Sequence, residues 1–231
     1  VEKYFRVVGN EGFNAGIHHV AAKLEKAGFV KEESAGSGDR LTYRIEKRAL
    51  ERKTWEPVGA SLKLASGEEV LNLETNKNMM AINSYSTNGE QAFEMVFVGD
   101  AKPAEFDDYD MKGKVVVGAG SARMFFQEAV VKRGAAGVMT YRVPEFNQPL
   151  KNVNSISFTS IPLDEEQQSF AVLLSTRAYN KLMEAIFAEQ SGIKLNLQTR
   201  IYESEELTLV AELKGSKKPD EPFVFSAHVQ E

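Results

Sequence analysis

The chain of 231 residues has no cysteine, which excludes disulfides, thiolate metal sites and cysteine nucleophiles together. No run approaches the roughly 18 apolar residues that a membrane-spanning helix requires, so no span is expected. Positive charge is in deficit: 28 Lys and Arg stand against 33 Asp and Glu, a formal net charge of -5. Nucleic acid and anionic membranes select basic patches, and neither partner is expected. Ser155, Ser157, Thr159 and Ser160 lie in no Gly-x-Ser-x-Gly elbow, which argues against a serine hydrolase. Gly118-Ala119-Gly120-Ser121 lacks the Gly-Lys-Ser/Thr ending of a phosphate loop, and Met124 stands at the third dinucleotide position. A plain strand-to-helix turn is the simpler reading. Val1-Glu2-Lys3 shows neither an initiator Met nor a signal peptide, so a processed or trimmed segment is expected.

What is present is enough apolar residue, 42% of the chain, to bury a core in one large domain or two small ones. After Gly9-Asn10-Glu11-Gly12, the residues Ile17, Val20, Ala21 and Leu24 recur at spacings of three and four. This predicts an amphipathic helix stopped at Gly28. Leu41 to Glu46 alternates as a strand, and short antiparallel β segments are expected at 60–64, 70–73 and 79–82. In the middle, strands at 95–100 and 115–117, a helix at 125–133 and a strand ending at Tyr141 follow in order. Small residues at Gly134-Ala135-Ala136-Gly137 allow close packing there. A strand at 170–175, a helix at 176–189 and a strand at 193–201 complete the stretch.

The carboxyl end is read as a hairpin. Leu207 to Leu213 forms one strand, a charged turn follows, and Phe223-Val224-Phe225 with Ser226 and Ala227 forms a second, buried strand ending on His228. The end of a strand is where open α/β sheets place their ligands.

This hairpin resembles the one that opens the catalytic sheet of zinc exopeptidases of the aminopeptidase Y and glutamate carboxypeptidase type. The resemblance implies that His228 is the first zinc ligand. It also implies that the other ligands and the general-base Glu lie downstream of Glu231. Gln230 departs from the family's His-x-Asp, whose carboxylate orients the histidine. The order of Lys112-Gly113-Lys114-Val115-Val116-Val117, helix, and Gly134-Ala135-Ala136-Gly137-Val138 resembles a protease-associated domain.

Together these resemblances imply a mixed α/β (α+β) fold in three parts: 1–51 as the start of a peptidase domain, 52–204 as an inserted protease-associated domain, and 205–231 as the first hairpin of the catalytic sheet. They imply a secreted or periplasmic zinc aminopeptidase or related exopeptidase acting on peptides with two zinc ions. The chain as given is expected to be inactive and to hold no zinc stably, since one histidine cannot supply a catalytic site, and its last strand is expected at a sheet edge or frayed, since the strands that would flank it are missing. A non-catalytic, receptor-like binding module is the alternative.

Other constellations read as structural. His18 and His19 are helix neighbours and cannot converge on one ion. Asp107-Asp108 with Asp110, and Glu165-Glu166, read as solvated acids, Arg123 as a solvated or paired cation, and Trp55 as a packing anchor.

Overall fold

The computed structural model describes residues 5–218 and 221–228. The elements in chain order are α1 (Glu11–Lys26), β1 (Val30–Lys31), β2 (Leu41–Ala49), β3 (Thr54–Leu64), β4 (Glu69–Asn72), β5 (Gln91–Gly99), β6 (Val115–Ala119), α2 (Ala122–Phe125), β7 (Gly137–Tyr141), β8 (Phe170–Leu174), α3 (Thr176–Phe187), β9 (Gly192–Tyr202) and β10 (Glu205–Leu213). The chain is a mixed α/β protein that divides into two compact units, Val1–Glu56 with Ile201–Glu231, and Pro57–Arg200.

In the first unit, α1 begins at a buried N-cap: the Asn10 side chain accepts from the Phe13 N–H at 2.8 Å. Phe13 and Ile17, one helical turn apart, pack on Leu207 of β10 with Val8, Ile45 and Leu209 around them. Each such side chain withdrawn from water contributes about 1.5–3 kcal/mol. The sheet beneath has the order β1-β2-β10. β2 and β10 pair antiparallel in unbroken register, from Glu205 opposite Ala49 to Leu213 opposite Leu41. Trp55 is 1% exposed and meets the Phe5 ring edge-on at 5.8 Å, as a packing anchor should.

The second unit is built on the sheet β4-β3-β9-β5-β6-β7-β8. β5 through β8 run parallel, and β6 is buried along Val115 to Gly118. Parallel strands covered on both faces become continuous apolar runs, which is why Val115-Val116-Val117 is legible as a strand. β9 pairs antiparallel with β5, and β4 pairs antiparallel with β3. Beyond α2 the chain continues as a π-helix over Phe126–Val131, and the core joins Phe125, Phe126, Ala129 and Val130 to Phe106, Val116 and Val138. α3 starts at Ser175, whose side chain accepts from the Ala178 N–H at 3.2 Å.

Three sequence expectations are corrected. The helix at 125–133 begins earlier, at Ala122, and widens into the π-turn, which brings the neighbours Phe125 and Phe126 both inside. The strand expected at 79–82 is a strap making only isolated bridges, Met80 to Val172 and Ile82 to Ser160. The second hairpin strand expected at 223–227 is not formed, beyond even the edge position expected of it: Phe223, Val224 and Phe225 are 93%, 86% and 94% exposed. A strand is held by the backbone hydrogen bonds of a neighbour, and no described residue pairs with this segment.

Candidate functional site

His228 lies beyond that unpaired apolar segment, outside any helix or strand and exposed. Gln230 and Glu231 fall outside the described residues. No group of three or more His, Cys, Asp or Glu among the described residues could hold a metal ion. A catalytic zinc takes three protein ligands and keeps one position open. A single exposed imidazole does not meet that requirement, so the described residues do not fit a zinc ion by themselves.

The remaining sequence candidates resolve into structural roles. His18 and His19 are adjacent and exposed on α1, with diverging directions. Asp107 accepts from Arg133 at 2.6 Å and Asp110 pairs with Lys114 at 3.2 Å, so the two acids point to separate cations rather than to one calcium. In the Glu165-Glu166 stretch the Asp164 carboxylate accepts from the N–H groups of Glu166 and Gln167, an Asx-type turn in solvent. Arg123 donates to the Ser160 hydroxyl at 3.2 Å. The glycines of the β6–α2 turn serve packing: a Cβ on Gly118 would lie 2.3 Å from the Gly99 carbonyl oxygen, and one on Gly120 would lie 2.6 Å from the Phe125 ring. That space belongs to a core aromatic, not to a phosphate.

Three polar constellations were not anticipated. The Glu128 side chain, 9% exposed, accepts from Lys132 at 2.7 Å and Arg133 at 3.0 Å. The hydrogen bond from Lys132 holds its carboxyl below the ordinary value against the opposing effect of burial, and Arg133 adds to the lowering. Burial opposes the Arg133 charge, but hydrogen bonds to Asp107 and then Glu128 raise its pKa, and its guanidinium lies 5.7 Å from the Phe106 ring centre. The signal was readable: Lys132 stands four residues after Glu128 on a helix.

In the other unit the Tyr43 hydroxyl donates to Glu25 at 2.5 Å. That hydrogen bond, then burial, then the charges of Glu25 and Glu33 push the Tyr43 pKa up to about 12. Tyr141, at the carboxyl end of β7, stacks on Tyr179 with ring centres 4.8 Å apart, and its hydroxyl is 3.1 Å from that of Thr176. Burial, then the charge of Asp100, then Tyr141 raise the Tyr179 pKa. Nothing in the spacing of these tyrosines signalled the pair.

No protein-family model matches the chain, and no curated protein matches it in sequence. Solved structures do share its fold. A Peptidase M28 precursor from Shewanella amazonensis SB2B superposes with a TM-score of 0.61 at 16% identity, over 98% of this chain and 51% of that one. BSAP, a zinc aminopeptidase from Bacillus subtilis, gives 0.58 at 14% identity over 89% of this chain and 42% of that one. An aminopeptidase from Aneurinibacillus sp. strain AM-1 gives 0.53 at 16% identity over 90% of this chain and 44% of that one. The chain therefore spans about half, or less, of the length of these structures, and at such identities the likeness is one of fold.

Proposed function

We propose that this chain is the amino-terminal part of a zinc-dependent exopeptidase of the aminopeptidase type, secreted or periplasmic, with His228 as its first metal ligand. One observation carries the reading. The fold likeness to an M28 peptidase precursor extends over 98% of this chain while using only 51% of that structure. The inner unit, Pro57–Arg200, supports the assignment of 52–204 as a protease-associated insert. Residues 1–51 and 205–231 are then the start of the peptidase domain.

Two zinc ions, when bound in such enzymes, supply a hydroxide nucleophile and polarise the peptide carbonyl. This chain's own contribution is one imidazole, carried on an apolar segment that needs a strand partner before the ring is fixed in place. Among the described residues no three or more potential ligands gather to hold a metal, so this polypeptide alone is expected to be inactive. The second reading, a binding module without chemistry, is favoured by Gln230, because a neutral amide orients a ligand histidine less well than a carboxylate does.

The test uses the longer polypeptide that this reading requires. Its zinc content and its hydrolysis of aminoacyl-nitroanilides are measured for the unaltered protein and for His228→Ala. Loss of zinc and of more than about 10–100-fold in rate, the scale for losing even an outer-shell partner of a metal ligand, is expected. Unchanged metal and rate would remove His228 from the site, and the absence of any hydrolysis in the unaltered protein would favour the binding module.

A further inference from the structure

One side of β9 is held by two consecutive pieces of chain. The first follows the strap: the Thr87 N–H donates to the Leu197 carbonyl at 3.0 Å, and the Leu197 N–H donates back to the Thr87 hydroxyl at 2.9 Å. The second is β5, whose Gln91 stands opposite Leu195. Because the chain takes twice as many residues from Thr87 to Gln91 as β9 takes between their partners, residues 88–90 step out of the sheet as a bulge. Asn88, Gly89 and Glu90 are all exposed there.

Asn88 is the residue whose chemistry this exposure frees. Its carboxamide has no partner among the described residues, so it can rotate onto the backbone nitrogen that follows it. That nitrogen belongs to Gly89, in the one Asn-Gly step of the sequence. Gly89 has φ +73°, and nothing lies within 4 Å of the place where a Cβ would stand, so no side chain obstructs the approach. The Gly89 N–H is held only within the turn, donating to the Thr87 carbonyl at 3.0 Å across three residues.

The other asparagines followed by a small polar residue are worse placed. The Asn83 side chain donates to the Ile161 carbonyl at 2.8 Å, and Ser84 after it is buried and bonded to Ala171 through both donor and acceptor. Asn154 is exposed, but it precedes Ser155, whose Cβ crowds the attacking nitrogen.

We propose that Asn88 is a site of spontaneous deamidation in the folded protein, with water as the only co-reactant. Hydroxide removes the Gly89 amide proton, and the nitrogen forms a bond to the side-chain carbonyl carbon of Asn88. The bond from that carbon to the carboxamide nitrogen breaks, and ammonia leaves with a proton taken from water. Water then opens the cyclic imide at one carbonyl to give aspartate, or at the other to give isoaspartate. Either product carries a carboxylate where the amide stood, near Glu90, which is paired with Lys63 at 3.0 Å. Isoaspartate also lengthens the backbone by one carbon, and the bulge takes this up outside the ladder on β9. This inference stands on one turn of the Pro57–Arg200 unit and does not depend on the peptidase reading.

The test incubates the 231-residue chain folded at mildly alkaline and mildly acidic pH, and unfolded in urea. Peptide mapping of the folded chain is expected to show a gain of about 1 Da at residue 88, faster at the alkaline pH. Ion exchange is expected to show an acidic species with unchanged far-ultraviolet circular dichroism, absent from Asn88→Gln. Asn83 is expected to stay intact in the folded chain and to convert in urea, where its bond to Ile161 is lost. An Asn88 that converts only in urea would overturn the proposal, as would conversion of Asn83 or Asn154 ahead of Asn88 in the folded chain. An acidic species that has lost its circular dichroism would overturn the claim that the fold accommodates the product.

Discussion

Tyr43 shows how far a single side chain can be pushed by its neighbours. Its pKa of about 12 in the fold, against about 10 in an unfolded chain, means that the neutral phenol is the form the fold favours. The stabilisation is complete below pH about 10 and is lost as pH rises through about 12. Denaturant titrations from pH 8 upward are expected to show this component in the unaltered chain and not in Tyr43→Phe. Equal slopes for the two would place the hydrogen bond to Glu25 elsewhere. Glu128 has the opposite sign: its lowered pKa contributes stability above the unfolded carboxylate range, lost as pH falls through the folded value. Glu128→Gln is expected to cost about 1–3 kcal/mol at neutral pH, the scale of hydrogen bonds to charged groups, measured by urea unfolding. Tyr43 does not stand out in the sequence, because a Tyr on an amphipathic pattern looks the same whether its partner is water or a side chain 18 positions away, whereas the four-residue spacing of Glu128 and Lys132 carries a signal. The divergence of His18 and His19 was legible because neighbours on a helix point apart; that Asp107 and Asp110 pair with Arg133 and Lys114 was not.

At the scale of elements, glycine packing fixes how the parallel block closes. A Cβ on Gly118 would meet a backbone oxygen of Gly99, and one on Gly137 would lie 2.3 Å from the Phe170 ring, whereas Gly38 has open space around it. Gly118→Ala and Gly137→Ala are therefore expected to lower the melting temperature, with overpacking costs of about 1–3 kcal/mol, and Gly38→Ala to change it little. A Gly118→Ala protein as stable as the unaltered chain would show that β5 and β6 are not in close contact there. The parallel strands β6, β7 and β8 and the helices α1 and α3 were readable from apolar runs and three-to-four spacing. The strap at 79–85 was not read correctly: Met79, Met80 and Ala81 are as apolar as a strand, but their partner is an edge 90 residues later, and periodicity carries no information about partners. The π-turn was hidden for a related reason, since adjacent buried aromatics break the regular helical pattern that the reading relies on.

For the whole molecule, the mixed α/β architecture was legible from the order of its elements, whereas the carboxyl-terminal segment, expected at a sheet edge or frayed in the chain as given, is exposed at Phe223 to Phe225. Apolar composition records what a segment would do between neighbours, and among the described residues none pairs with this one. Open β10, exposed Phe223 to Phe225 and solitary His228 are three views of that one deficit. The proposed function requires His228 to be a zinc ligand in a longer polypeptide. The most direct measurement is a crystallographic anomalous difference map of that protein collected at the zinc absorption edge. A peak is expected about 2.0–2.1 Å from an imidazole nitrogen of His228, the usual zinc–histidine distance. A map whose zinc peaks all lie away from a well-ordered His228 ring would contradict it.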